Sequence, residues 1–151
     1  MTDDSVTATI PVGSQPKGIA ITPFTGTWAY VANSGSDTVS VIDTARKVVV
    51  AVVNVPKDPR GVAITPDGLH VFVASTAPDL VSNIDTLTNS VVKTIPVGRD
   101  PIGVAITPDG SRAYVANSGS NTVSVIDVAT GSLIATIKVG RDPRWLSATP
   151  F

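Results

Sequence analysis

The sequence predicts an all-β chain assembled from repeated four-stranded units, and three observations carry that prediction. First, the chain copies itself: Ala29-Tyr30-Val31-Ala32-Asn33-Ser34-Gly35-Ser36 returns unchanged at 113–120, and the segment 38–43 returns at 122–127. Second, Pro16, Pro59, Pro101 and Pro143 recur at intervals of 43, 42 and 42 residues. Third, each period divides into four short, β-branched segments separated by Gly, Pro and Ser turn chemistry.

The elements follow in order within a period. Strand a is Gly61-Val62-Ala63-Ile64-Thr65, closed by the tight-turn signal Pro66-Asp67-Gly68. Strand b is Ala113-Tyr114-Val115-Ala116-Asn117, and Ser118-Gly119-Ser120 ends it. Strand c is Thr122-Val123-Ser124-Val125-Ile126-Asp127, and strand d is exemplified by Val91-Val92-Lys93-Thr94-Ile95-Pro96-Val97. The middle copy is more diverged, reading Val71-Phe72-Val73-Ala74-Ser75 and then Leu80-Val81-Ser82-Asn83-Ile84-Asp85. The extra residue of the first copy falls at Phe24-Thr25-Gly26-Thr27, inside a turn, so strand register is kept. Helices are disfavoured because every segment is short, β-branched and broken by Gly or Pro.

Four strands in roughly 40–45 residues is the period of a propeller blade. The expected fold is therefore an all-β β-propeller, a single partial domain over 1–151 with three complete four-stranded blades. Its repeats are 16–58, 59–100 and 101–142, with 6–12 left over as a strand d and 143–150 as a strand a. Three blades are fewer than the four to eight of usual rings. An uncovered blade end exposes roughly 300 Å² of face. Closure is expected through a homo-oligomer, a dimer in the first instance, or through further blades if the chain is a fragment of a larger propeller.

The motif Pro-x-Gly-Val-Ala-Ile-Thr-Pro-Asp-Gly, followed by Tyr-Val-Ala-Asn at 30–33 and 114–117 and by Thr-Val-Ser-Val-Ile-Asp, resembles the YVTN-type propeller repeat. The likeness covers the chain from Val6 onward, and the middle copy departs to Phe72-Val73-Ala74-Ser75. The resemblance implies a seven-bladed relative and a surface-layer, periplasmic or cell-envelope binding module. A WD-repeat is set aside because Trp-Asp is missing from the strand ends.

Composition narrows the chemistry. The chain is 42% hydrophobic and 15% charged with a net charge of −1, so no global field draws it to nucleic acid or anionic membrane. It has no Cys, which removes disulfides and thiolate chemistry, and a single His, His70. The opening Met-Thr-Asp-Asp-Ser is not a signal peptide, so the expected compartment is cytoplasmic as given, or periplasmic or cell-surface if a longer precursor precedes it. The longest apolar run, 48–53, is strand-sized. No cofactor or metal is expected.

Residues recurring once per repeat read as structure. Tyr30, Phe72 and Tyr114 share one inter-blade position; Asp43, Asp85 and Asp127 end strand c and are expected to cap turn N–H groups, as are Asp67 and Asp109. His70 aligns with Arg112 and is expected in solvent. The candidate ligand-binding residues lie instead in the d–a connections, which share a face with the b–c turns around the channel mouth. Lys17, Arg60 and Arg144 follow the prolines, with Ile102 the exception; Lys57, Arg99 and Arg141 lie upstream, beside Asp58, Asp100 and Asp142. Converging cations suit a small anionic ligand, although the same charges can pair with each other. The expected function is a non-enzymatic binding and assembly module, with a protein or a small anion as partner and no catalytic residues. Two alternatives are a propeller enzyme of the lactonase or lyase kind, with Asp58, Asp100 and Asp142 as its carboxylates, and a single-stranded DNA-binding propeller, which lacks interleaved aromatics beyond Trp145.

Overall fold

A computed structural model describes residues 5–148. Twelve strands form three antiparallel four-stranded sheets, each in simple up-and-down order, with no helix among the described residues. Blade 1 comprises β1 (Pro16–Ile21), β2 (Trp28–Asn33), β3 (Thr38–Asp43) and β4 (Val48–Asn54). Blade 2 comprises β5 (Lys57–Ile64), β6 (His70–Ala77), β7 (Leu80–Asp85) and β8 (Ser90–Pro96). Blade 3 comprises β9 (Pro101–Ile106), β10 (Arg112–Asn117), β11 (Thr122–Asp127) and β12 (Ser132–Lys138).

The sequence repeat is reproduced in the strand pairing. The identical b and c segments pair identically, from Trp28 opposite Asp43 to Asn33 opposite Thr38, and from Arg112 opposite Asp127 to Asn117 opposite Thr122. Every c–d pair carries an irregularity at the same column, between Val41 and Ile42, Asn83 and Ile84, and Val125 and Ile126. Such an irregularity increases local strand twist.

Period-two alternation gives each blade two apolar faces, and the core lies between blades. Tyr30, Ala32, Val39, Val41 and Val53 of blade 1 meet Val71, Val73 and Ile84 of blade 2. Phe72, Ala74, Val81 and Ile95 of blade 2 meet Ala113, Val115 and Ile126 of blade 3. The innermost strands approach so closely that only glycine fits: a Cβ on Gly18 would strike the Arg60 carbonyl oxygen, and one on Gly61 the Ile102 carbonyl oxygen.

The outer faces of blades 1 and 3 have no blade against them among the described residues. The column Val53, Ile95, Ile137 shows the consequence: 5% and 3% exposed in blades 1 and 2, then 46% in blade 3. Tyr30 and Phe72 are buried, whereas Tyr114 in the same column is half-exposed. At the other end Ile19 and Ile21 are exposed.

The flanking segments depart from expectation. Neither 6–12 nor 143–148 joins a sheet, and residues 149 and 150 lie outside the described residues. A lone d strand has no c strand, and a lone a strand no b strand, to satisfy its backbone groups. Both segments nevertheless dock. Ile10 and Val12 pack on Ala29, Val31 and Ile42, and the Arg144 carbonyl abuts Gly103 as the Arg60 carbonyl abuts Gly18. The C-terminal segment thus takes the inner-strand seat of a next blade without that blade's ladder.

Candidate channel-mouth site

The d–a connections and the b–c turns meet on one face through backbone hydrogen bonds. Ser34 and Gly35 N–H donate to the carbonyls of Gln15 and Ser14, each at 3.0 Å, and Ser118 and Gly119 repeat this with Asp100 and Arg99. The residue before each proline has left-handed backbone: Gln15 at φ 50°, Asp58 at 55°, Asp100 at 49° and Asp142 at 53°. Asp tolerates that region better than most residues because its short side chain bonds locally. In three blades the b–c turn of one blade also caps the next connection. Asp37, Asp79 and Asn121 accept the N–H of Asp58, Asp100 and Asp142, each at 2.9 Å.

This framework draws two of the candidate cations, Arg60 and Arg144, into internal ion pairs. Asp58 Oδ2 accepts from Arg60 Nη2 at 2.7 Å, from Arg60 Nε at 3.0 Å and from Thr76 Oγ1 at 2.6 Å. Asp142 Oδ2 likewise accepts from Arg144 Nη2 and Nε, at 2.7 and 2.9 Å. Asp100 makes no such pair, because Ile102 stands where the arginine would be. The structure therefore brings Asp58 to Arg60 and Asp142 to Arg144, and leaves Lys17, Lys57, Arg99 and Arg141 without a carboxylate partner among the described residues. Arg99 donates to the Gly119 carbonyl at 3.1 Å. Lys17 borders a cavity of about 240 Å³ at the inner strands, whose wall includes Gly61, Gly103, Val62, Val104 and Trp145.

Electrostatics follow from these contacts. Burial alone pushes the Asp58 carboxyl up, but the Arg60 and Thr76 hydrogen bonds and the Arg60 and Lys17 charges outweigh it and hold it below the ordinary carboxylate value. Asp67 and Asp85, at their turns, are also held low by hydrogen bonds, led by those from Thr65 and Thr88. Asp127 is lowered by Thr130, and Asp109 is lowered to about 2 by hydrogen bonds from Thr107 and Ser111. A carboxylate depressed in the folded state stabilises fully above its unfolded value and loses that contribution as pH falls through the folded one. Thermal melts should therefore be flat from neutrality to about pH 4 and fall steadily towards about pH 2. A melting temperature unchanged at the acid end contradicts these turn bonds.

His70 differs from expectation. It is half-buried, with Nδ1 3.1 Å from Asn83 Oδ1, on the side of the propeller that carries the a–b and c–d turns. Sequence reasoning treated it as a surface residue because Arg112 shares its column. The overlooked signal is that Asn83 and Lys93 depart from the repeat beside it. Among the described residues no three carboxylates or imidazoles converge closely enough to hold a metal ion.

Stacked four-stranded blades with their inner strands around a channel define a β-propeller. The chain belongs to the YNCE-like beta-propeller family, whose family model matches residues 31–149. No curated protein matches the chain. Among solved structures it is similar to a chain of Kuenenia stuttgartiensis hydrazine synthase, with 31% identity and a TM-score of 0.83, over 93% of this chain and 41% of that one. The WD40 repeats of RRP9 match at 19% identity and a TM-score of 0.80, over 91% of this chain and 43% of theirs. A putative 6-phosphogluconolactonase from Bacteroides fragilis matches at 24% identity and a TM-score of 0.77, over 88% of this chain and 41% of its own. The last two likenesses show the fold alone. The chain spans less than half the length of each of these structures.

Proposed function

We propose that this chain is a YVTN-type, non-enzymatic binding and assembly module, which completes its ring with a second copy and presents the d–a and b–c loop face to a small anion. The observation that carries the assembly half is the column Val53, Ile95, Ile137. A position buried twice by a following blade is half-exposed the third time. Its natural complement is a blade of the same repeat, since blades 2 and 3 already cover the equivalent faces of blades 1 and 2. The YVTN-type motif supports a cell-envelope setting.

The ligand half rests on Lys17, Lys57, Arg99 and Arg141, which lie in the d–a connections and make no ion pair among the described residues. Cations on a rigid frame around a low-dielectric channel raise the local anion concentration. Titration with inorganic phosphate at low ionic strength tests this reading. Saturable binding that weakens with added salt and is lost in an Arg99→Ala, Arg141→Ala variant is the expected result. No binding by the unaltered chain at low salt overturns the anion face. Such a result leaves the assembly claim to be judged on its own measurement.

A further inference from the structure

A second cavity, about 480 Å³ in volume, lies between blades 2 and 3 on the side opposite the loop face. That size suits a small-molecule ligand. Repeat columns explain why it exists. The floor positions are Trp28, Val41 and Ala51 in blade 1, and Arg112, Val125 and Ala135 in blade 3, but His70, Asn83 and Lys93 in blade 2. Between blades 1 and 2, Trp28 and Ala51 pack on the apolar core, and Tyr30 Oη reaches across to Asn89 Oδ1 at 3.2 Å. Between blades 2 and 3 that bridge has gone, because Phe72 replaces the tyrosine and Gly131 the asparagine.

The replacements are mutually adjusted. Gly131 has a φ of 60°, and a Cβ there would run into Lys93 Cδ and Cε, so the glycine makes room for the lysine stem. Lys93 crosses the groove to donate to the Thr130 carbonyl at 2.7 Å. Asn83, 6% exposed, turns its oxygen to His70. Five coordinated departures that carve a polar groove out of an apolar blade interface are not needed for stacking, since blades 1 and 2 stack without them.

The hydrogen-bonding inventory identifies the kind of ligand. Most of the carboxylate oxygens are engaged: Asp67 Oδ1 by Thr65 and Leu69, Asp109 by Thr107 and Ser111, and Asp127 by Thr130 and Arg112. The donors are not, because Lys93 has one bond for three N–H groups and the Asn83 amide nitrogen has no partner among the described residues. A ligand that engages these free donors brings acceptor atoms. Three lining aspartates against Lys93 and Arg112 disfavour a dianion. We infer that this groove binds a small monocarboxylate carrying hydroxyl groups, with its carboxylate on Lys93 and an oxygen on Asn83.

The test uses gluconate as probe and sorbitol as its uncharged counterpart, by calorimetry on the full chain. Saturable gluconate binding is expected, with sorbitol at least about tenfold weaker. The double substitution Asn83→Val, Lys93→Ala installs the residues of both neighbouring blades, so its melting temperature should match or exceed that of the parent while affinity falls at least about tenfold. Gly131→Asn, which restores the residue of the first groove in a backbone region Asn accepts, should block the site independently. No saturable gluconate binding, equal affinity for sorbitol, or affinity untouched in both variants overturns the assignment.

Discussion

Phe72→Ala is expected to destabilise the chain by about 3–5 kcal/mol, the cost of emptying a fully buried aromatic site. Phe72 is inaccessible to solvent and packs with Ala113, Val115 and Ile126 of the next blade. Both sides of the resulting hole are held by backbone ladders, so the site collapses poorly. Tyr114→Ala, in the same repeat column, should cost less than half as much, because no blade covers that face. Urea denaturation of the two variants, at concentrations where chains do not associate, makes the comparison. Equal losses would contradict the reading of blade 3 as an uncovered end.

Gly61→Ala should cost about 3 kcal/mol, at the upper end of overpacking penalties. Most overpacked cores yield by moving side chains, but here the obstacle is the Ile102 carbonyl oxygen and the Val104 amide nitrogen. Neither can retreat without parting two innermost strands. Gly140→Ala is the control, since a Cβ there meets nothing within 4 Å, and it should stay within about 0.5 kcal/mol of the parent. A Gly61 variant as stable as the Gly140 variant would mean that the inner strands are less closely packed than described.

Much of this architecture was legible in the sequence because blade chemistry is local. Strand length, alternation and turn residues are set within ten or so positions, and repetition confirmed each of them three times. Asp43, Asp85 and Asp127 do accept turn N–H groups, from Arg46, Thr88 and Thr130. What depends on neighbours in space was harder to read. The flanking segments match strands d and a residue by residue, yet a matching sequence does not supply the missing strand beside them. The basic residues after the prolines read both as converging cations and as charges able to pair with the aspartates beside them. The pairing of Arg60 and Arg144 with the aspartate two positions earlier goes with a left-handed backbone that spacing alone does not reveal. The groove at His70, Asn83 and Lys93 was missed for a different reason: repeats draw attention to what recurs, and this site consists of what does not.

The proposed dimer requires that the end faces of blades 1 and 3 are blade interfaces that a second copy covers. Light scattering coupled to size exclusion measures this directly, on the parent chain and on Ile137→Lys, which places a charge in the half-exposed column without disturbing a filled interface. The expected result is a parent mass of twice one chain, and a single chain for the variant with its melting transition still cooperative. A parent that runs as one chain at every concentration, or a variant that assembles as the parent does, would contradict it.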